Sequence, residues 1–128
     1  SHEIEFDFNV IKDKQIYAYE NEYSQVILNL LTNSKDAIIS RNIKKPKIKI
    51  AIDTKNNISK TTISDNAGGI EEKNQELIFD PYFSTKDSSK GTGLGLYISK
   101  LIIERNMGGE LSVFNDEEGA VFKIVVAG

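Results

Sequence analysis

The sequence contains no cysteine and no tryptophan, and its 128 residues include only two prolines, one methionine and one histidine. Because cysteine is absent, disulfide bonds and thiolate metal sites are excluded, and a reducing compartment is permitted. The sequence also lacks an apolar run approaching the roughly 18 residues that span a bilayer, and its N-terminus has no signal-peptide pattern. We therefore expect a soluble chain that makes no direct contact with a membrane.

Neither sign of charge dominates the sequence, because 16 lysines and arginines stand against 19 acidic residues and the formal net charge is −3. This balance gives no broad electrostatic reason to bind nucleic acid or an anionic membrane, so any binding of anions must be local. The length and the 39% of hydrophobic residues are enough for one independent core. We expect a single domain over residues 1–128.

Hydrophobic periodicity predicts the order of the secondary-structure elements. Apolar alternation and β-prone runs predict strands over residues 4–10, 15–19, 47–53, 58–64, 110–115 and 120–126. Helical spacing predicts one helix over 21–40, with Asn21 as N-cap, and another over 94–106. The segment 71–92 begins with a polar helix-like piece and becomes irregular. We expect an α/β (α+β) two-layer sandwich, with a mixed, mostly antiparallel sheet of about five strands covered on one face by about three helices.

The stretch KGTGLGLYISKL, residues 90–101, places three glycines at alternate positions before a helical pattern. Glycines let a backbone approach a ligand, and a helix start offers free N–H groups to an anion. The stretch is not a P-loop, because Gly95 is followed by Leu96 and Tyr97 rather than by Lys and Ser or Thr. It also lacks the third glycine of a dinucleotide fingerprint. A phosphate loop and a plain turn leading into a core helix both remain open at this point.

The first predicted helix carries one continuous polar stripe. Its members recur at steps of three or four residues: Glu22, Gln25, Asn29, Asn33, Asp36 and Ser40. A stripe of this kind is usually a solvated face. However, two asparagines one turn apart are poor helix formers that supply amide oxygens on one side, and such oxygens suit Mg²⁺ completed by substrate phosphates. The stripe is therefore also a candidate metal site.

Four segments stand in a specific order along the chain: NLLTNSKDAI (29–38), DNAGGI (65–70), FDPYFSTK (79–86) and GTGLGL (91–96). Together they resemble the N, G1, F and G2 boxes of the ATP-binding catalytic domain of bacterial sensor histidine kinases. The resemblance covers nearly the whole chain. It implies membership of the wider ATPase group of type II topoisomerases, mismatch-repair ATPases and Hsp90 chaperones, which share a Bergerat-type α/β sandwich.

The resemblance implies a role for individual residues. Asn33 matches the Mg²⁺ ligand, and Asn29 is a second candidate ligand one turn earlier. Asp65 matches the carboxylate that accepts a hydrogen bond from the adenine amino group, which suits an ionised Asp because it is only an acceptor. Gly69 matches the glycine beside the base. Ala67 departs from the pattern, since the family has a first G1 glycine there; we expect the change to be tolerated.

The F and G2 boxes are implied to form a lid over the nucleotide, about residues 71–92. Phe79 and Phe83 match the aromatic anchors of the lid, which also suit core packing, and Lys86 is the candidate phosphate contact. The residues implied to bind ATP are Asn29, Asn33, Asp36, Asp65, Gly69, Ile70, Phe79, Phe83, Thr85, Lys86, Gly91, Thr92, Gly93, Leu94, Gly95 and Leu96.

The implied activity is transfer of the γ-phosphoryl group of Mg-ATP to a histidine on a separate dimerisation domain of the same parent protein, with a response regulator as indirect partner. We expect that domain to be absent from this chain, because the sequence around His2 lacks the proline of an acceptor motif and the two long helices of a helical hairpin. We expect a cytoplasmic, monomeric catalytic domain of low activity in isolation, from a parent compatible with anchoring in the inner membrane.

Two other functions remain open. The chain could be an ATP-hydrolysing enzyme or a protein-serine kinase of the anti-sigma-factor type, but hydrolysing relatives carry a Glu four residues before the Mg²⁺ ligand, where this chain has Asn29. It could also be a non-catalytic nucleotide-binding module, although Asn33, Asp65, Gly93 and Gly95 are all present.

Overall fold

The computed structural model describes residues 5–10, 20–83 and 94–127, and for 5–10 and residue 20 it describes the backbone. The α-helices and strands in chain order are β1 (Glu5–Val10), α1 (Glu20–Ser40), β2 (Lys47–Lys55), β3 (Ile58–Asp65), α2 (Gly95–Leu101), β4 (Glu110–Asn115) and β5 (Ala120–Ala127). Short 3₁₀ turns cover Glu72–Asn74 and Leu77–Phe79, and a π-helical turn covers Ile102–Asn106.

The described strands form one sheet in the order β1-β2-β3-β5-β4. β1 runs parallel to β2, and the other neighbours are antiparallel. This arrangement confirms the prediction of a mixed, mostly antiparallel sheet. The strand predicted over 15–19 lies outside the described residues.

The core lies between one face of the sheet and the two helices. Ile63 pairs with Ile50 on one side and with Phe122 on the other, so their side chains form a row across three strands. Val26 and Leu30 of α1 are completely buried in the same cluster. Alternation predicts such a sheet because successive side chains point to opposite faces.

The β2–β3 hairpin turns at Asn56 and Asn57, whose φ angles are 53° and 63°. Both residues therefore adopt the left-handed conformation that a two-residue hairpin turn requires and that Asn tolerates. The predicted hairpin is confirmed, with β2 extending two residues beyond the predicted end.

The helix boundaries differ from the prediction in two places. α1 already begins at Glu20, so Asn21 lies inside the first turn and is not the N-cap. The helix dipole favours an acidic residue such as Glu20 at this end of the helix. The predicted 94–106 helix is α-helical only to Leu101 and ends as a π turn. Gly108, with φ 66°, reverses the chain, and the Gly109 N–H donates to the carbonyl of Ile103 at 2.8 Å.

The helix-like piece predicted near residue 71 consists of two 3₁₀ turns rather than an α-helix. Among the described residues, every helix is too short or too polar to span a bilayer.

Candidate functional site

A cavity of about 150 Å³ opens between the C-terminal half of α1, the loop after β3 and the start of α2. Its wall includes residues from three of the four motifs: Asn33, Asp65, Gly69, Ile70 and Leu96. These positions are far apart in the sequence, and the sheet brings them together because β3 ends beside α1. The cavity is much larger than the space that one water needs.

Asp65, the last residue of β3, is the buried carboxylate of the cavity and is only 6% exposed. Its Oδ1 accepts hydrogen bonds from the backbone N–H groups of Ala67 at 3.0 Å and Ala120 at 3.4 Å. Burial raises the pKa of Asp65, and this effect outweighs the opposing effects of the two N–H groups, the Ser34 hydroxyl and the Arg41 charge. Desolvation therefore governs this carboxyl group.

Ser34 lies beside Asp65 and was not recognised in the sequence as a site residue. Its side chain is completely buried, and within the described part of the chain its hydroxyl has no hydrogen-bond partner of good geometry, although it is near enough to Asp65 to favour the ionised form. Buried hydroxyls are nearly always paired. Ser34 is thus a buried polar group whose interaction with Asp65 ties it to the cavity wall.

The loop after Asp65 depends on two glycines. Gly68 and Gly69 have φ angles of 94° and 85°, a region that side-chain-bearing residues rarely adopt. A Cβ at Gly69 would lie 2.7 Å from Oδ1 of Asn115, which also excludes a larger residue. Ala67 does not have a positive φ. Alanine therefore fits at this position, where the G1 box of the histidine kinases that the sequence resembles has glycine.

The end of β4 and the β4–β5 turn hold this loop through hydrogen bonds. The Asn115 side chain accepts from the Ile70 N–H at 2.9 Å and donates to the Ile70 carbonyl at 2.8 Å. The Gly68 N–H donates to the carbonyl of Glu118 at 3.1 Å. The motifs did not indicate this turn; the only sequence signal was the glycine of DEEG, Gly119.

Part of the polar stripe on α1 forms a seam with the second helix instead of a solvated face. Asn29 donates to the carbonyl of Gly95 at 3.2 Å and to Oγ of Ser99 at 3.1 Å, and its Oδ1 accepts from Gln25 at 2.9 Å. Asn29 does not line the cavity, whereas Asn33 does. Asn29 as a Mg²⁺ ligand stays a prediction. Its contacts with α2 are made by Nδ2, so the ligand oxygen Oδ1 would have to share or replace only its contact with Gln25.

The F-box aromatic Phe79 is a core residue. Its ring meets Phe122 edge-on with centroids 6.3 Å apart, and the Lys100 ammonium lies 4.6 Å from the ring centroid. Lys100 also donates to the carbonyl of Leu111 at 2.9 Å. Phe83 is half-buried against the same core. Both aromatics therefore have the core packing that their pattern also suggested.

The remaining predicted residues are distributed as follows. Leu94 directly precedes α2, and its carbonyl accepts from the Ile98 N–H at 2.9 Å. Asp36 is half-buried on α1 and is not part of the cavity wall. The predicted contacts that lie outside the described residues are Thr85, Lys86, Gly91, Thr92 and Gly93.

Comparison with known proteins gives a family match, a similar curated protein and similar solved structures. The family described as histidine kinase-, DNA gyrase B-, and HSP90-like ATPase matches residues 18–127. The two-component sensor PprA of Pseudomonas aeruginosa is 39% identical over 110 residues, which cover 81% of this chain and 12% of that protein. The nucleotide-free catalytic domain of histidine kinase ThkA has a TM-score of 0.83 and 33% identity, covering 97% of this chain and 80% of that one.

A structure of ThkA in complex with response regulator protein TrrA is also similar, with a TM-score of 0.75 and 28% identity over 97% of this chain and 34% of that one. The chain thus corresponds to only a small part of PprA and about a third of this ThkA chain.

Proposed function

The chain belongs to the family of histidine kinase-, DNA gyrase B- and HSP90-like ATPases, and from this premise we propose that it is the catalytic domain of a sensor histidine kinase. In this proposal the chain binds Mg-ATP and presents the γ-phosphoryl group to a histidine on a separate dimerisation domain of its parent protein. A response regulator then receives the group indirectly, through that histidine. The reaction belongs to two-component signal transduction in the cytoplasm.

The observation that carries the proposal is the placement of Asp65, a buried acceptor on the wall of a cavity shared with Asn33 and Leu96. An ionised carboxylate only accepts hydrogen bonds. It therefore favours adenine, which offers an amino group, over guanine, which has a carbonyl at the same place. An unsatisfied partner in such a site costs about 1–3 kcal/mol, which is enough for base selectivity.

The buried Ser34 hydroxyl beside Asp65 also fits a purine at this position. A hydroxyl can donate and accept, and the edge of an adenine offers both a ring nitrogen and an amino group. A base beside Asp65, or a water held between the base and Ser34, would give the hydroxyl a further partner.

Asn33 is the proposed protein ligand of Mg²⁺. Its amide oxygen belongs to the hard donors that Mg²⁺ prefers, and this ion is usually held by one or two protein ligands together with substrate phosphates. When bound, the ion would neutralise charge on the phosphate oxygens. We place the phosphates under the G2 residues, with Lys86 as a contact, on the basis of the resemblance.

Transfer to a histidine is favoured over hydrolysis because no base stands at position 29. Asn29 cannot take a proton from water at neutral pH, and its amide is already engaged with Gly95 and Ser99 of α2. Asp36 lies on the same helix but outside the cavity wall. The nucleophile must then come from another domain.

Three exposed apolar or aromatic side chains suit contact with such a domain. Leu77 and Ile98 are 42% and 40% exposed. Leu77 precedes the cavity residue Ile78 in the chain, and Ile98 follows the cavity residue Leu96 after one intervening position. Tyr82 is 74% exposed and has a φ of 66°, an unfavourable conformation for a bulky residue. We propose that these side chains contact the dimerisation domain.

Calorimetry and a transfer assay test the proposed function. We expect Mg²⁺-assisted binding of a non-hydrolysable ATP analogue, much weaker binding of the GTP analogue, and labelled phosphoryl transfer only when the parent protein's dimerisation domain is added. Equal affinity for the two analogues would refute base recognition at Asp65. Phosphate release by the chain alone near the enzyme median of about 10 s⁻¹ would indicate a hydrolase, and failure to bind either analogue would leave the interaction-module function.

A further inference from the structure

Arg41 follows the last residue of α1 and reaches across to the loop after β3. Its Nη1 donates to the carbonyl of Ala67 at 2.5 Å and to the carbonyl of Gly69 at 2.7 Å. Hydrogen bonds from a charged donor are short and stronger than neutral ones. The guanidinium thus bridges two carbonyls on either side of Gly68, the most exposed residue of the loop.

The bridged loop has little stiffness of its own. Gly68 and Gly69 both have positive φ, and glycine loses more conformational freedom on ordering than any other residue. At the far end the loop is held by Asn115, which pairs with both backbone polar groups of Ile70. Arg41 holds the near end, from the helix that also carries Asn33.

A chain of contacts links Arg41 to the carboxylate of Asp65. Arg41 holds the carbonyl of Ala67, and the N–H of the same residue donates to Oδ1 of Asp65 at 3.0 Å. Ala67 is buried, so a shift of its backbone would also move the donor that orients the carboxylate.

We infer that Arg41 is a positioning residue for base recognition, which fixes the loop so that Asp65 presents its carboxylate to the adenine amino group. This inference rests on the proposed function. Arg41 also lines the cavity, so a direct contact with the sugar or the phosphates is the competing role. Positioning is favoured because Nη1 is already shared between two carbonyls of the loop.

The test compares ATP with inosine triphosphate, which has the same sugar and phosphates but a carbonyl in place of the amino group. Arg41→Gln removes the charged bridge, and Lys44→Gln removes a neighbouring charge that is also exposed and does not line the cavity. We expect Arg41→Gln to lower the preference for ATP over inosine triphosphate by about three- to tenfold, a value discounted for solvent exposure. The affinity for inosine triphosphate should stay the same, and Arg41→Lys should recover part of the preference.

Hydrogen exchange without nucleotide gives a second readout. In Arg41→Gln the Ala67 amide should exchange faster, whereas the Ile70 amide, which Asn115 holds, should be unchanged. An equal fall in affinity for both nucleotides would overturn positioning in favour of a direct contact. An unchanged preference together with unchanged exchange at Ala67 would also overturn it. If the unsubstituted chain does not prefer ATP over inosine triphosphate, the proposed function fails, and the inference fails with it.

Discussion

Gly119 lies directly against Asp65. A Cβ atom at position 119 would stand 2.6 Å from Oδ1 of Asp65 and 2.3 Å from its backbone carbonyl oxygen, distances that real Cβ atoms do not adopt. The β4–β5 turn therefore packs on the carboxylate itself, with the neighbouring Ala120 N–H as one of its donors. The geometry of the site depends on a glycine 54 positions later in the chain than Asp65.

The first prediction concerns Gly119→Ala. We expect a loss of about 1–3 kcal/mol in the free energy of unfolding, the usual consequence of overpacking, and weaker ATP binding because the carboxylate must move. Thermal unfolding and calorimetry measure the two effects. Gly108→Asn is the control, since Gly108 has open space around it and a φ of 66° that asparagine tolerates. Wild-type stability and affinity in Gly119→Ala would contradict the proposed packing.

The second prediction is that Asp65→Asn stabilises the fold while it removes base selectivity. Because burial raises the pKa of Asp65 above its ordinary value of 3.8, the folded chain binds the proton more tightly than the unfolded chain. The resulting stabilisation is complete below the unfolded pKa and is lost as pH rises through the folded pKa. At neutral pH the buried charge opposes folding, and asparagine removes it.

We therefore expect Asp65→Asn to unfold at a higher temperature at pH 7 and to lose about 1–3 kcal/mol of the preference for ATP over GTP. Unfolding curves at pH 7 and pH 3 give the sign directly, because the difference between the two proteins should shrink in acid. A lower unfolding temperature at pH 7 would show that the hydrogen bonds from Ala67 and Ala120, rather than desolvation, dominate.

The sequence predicted those parts of the fold whose signals are local. Alternation located β2 and β3 because burial of one sheet face repeats every second residue, and Asn56-Asn57 marked their turn. The prediction that α1 begins at Asn21 was wrong, because a residue that suits an N-cap is also accepted inside the first turn of a helix. Helix boundaries depend on weak local preferences.

The candidate site was only partly predictable, for a reason of distance along the chain. Asn33, Asp65 and Leu96 belong to recognisable motifs and lie on one cavity wall. Arg41 and Asn115 act on backbone groups 26 to 45 residues away, and no local pattern reports such contacts. The role of Asn29 in the polar stripe was also not predictable, because its partner Ser99 on α2 lies about 70 residues later in the chain.

The third prediction is a reversal of nucleotide preference with pH. ATP affinity should fall as pH is lowered through the raised pKa of Asp65, because a protonated carboxyl no longer offers the same acceptor. Inosine triphosphate should gain, because the protonated carboxyl can donate to its carbonyl. Calorimetry from pH 7 to pH 4 measures both trends. Asp65→Asn corrects for protonation of the nucleotides, and parallel curves for the two nucleotides would exclude titration of Asp65 as the cause.

The last prediction separates the two asparagines of α1. Asn33 lines the cavity, so Asn33→Ala should reduce the Mg²⁺-dependent part of ATP affinity about tenfold or more, by analogy with disturbed metal sites, and leave metal-free binding nearly unchanged. Asn29 ties α1 to Gly95 and Ser99, so Asn29→Ala should instead lower the unfolding temperature and keep the Mg²⁺ dependence. Calorimetry with Mg²⁺ and with EDTA, together with thermal unfolding, distinguishes the roles. If Asn29→Ala abolishes the Mg²⁺ dependence at unchanged stability, Asn29 is the ligand, through an Oδ1 that shares or gives up its contact with Gln25.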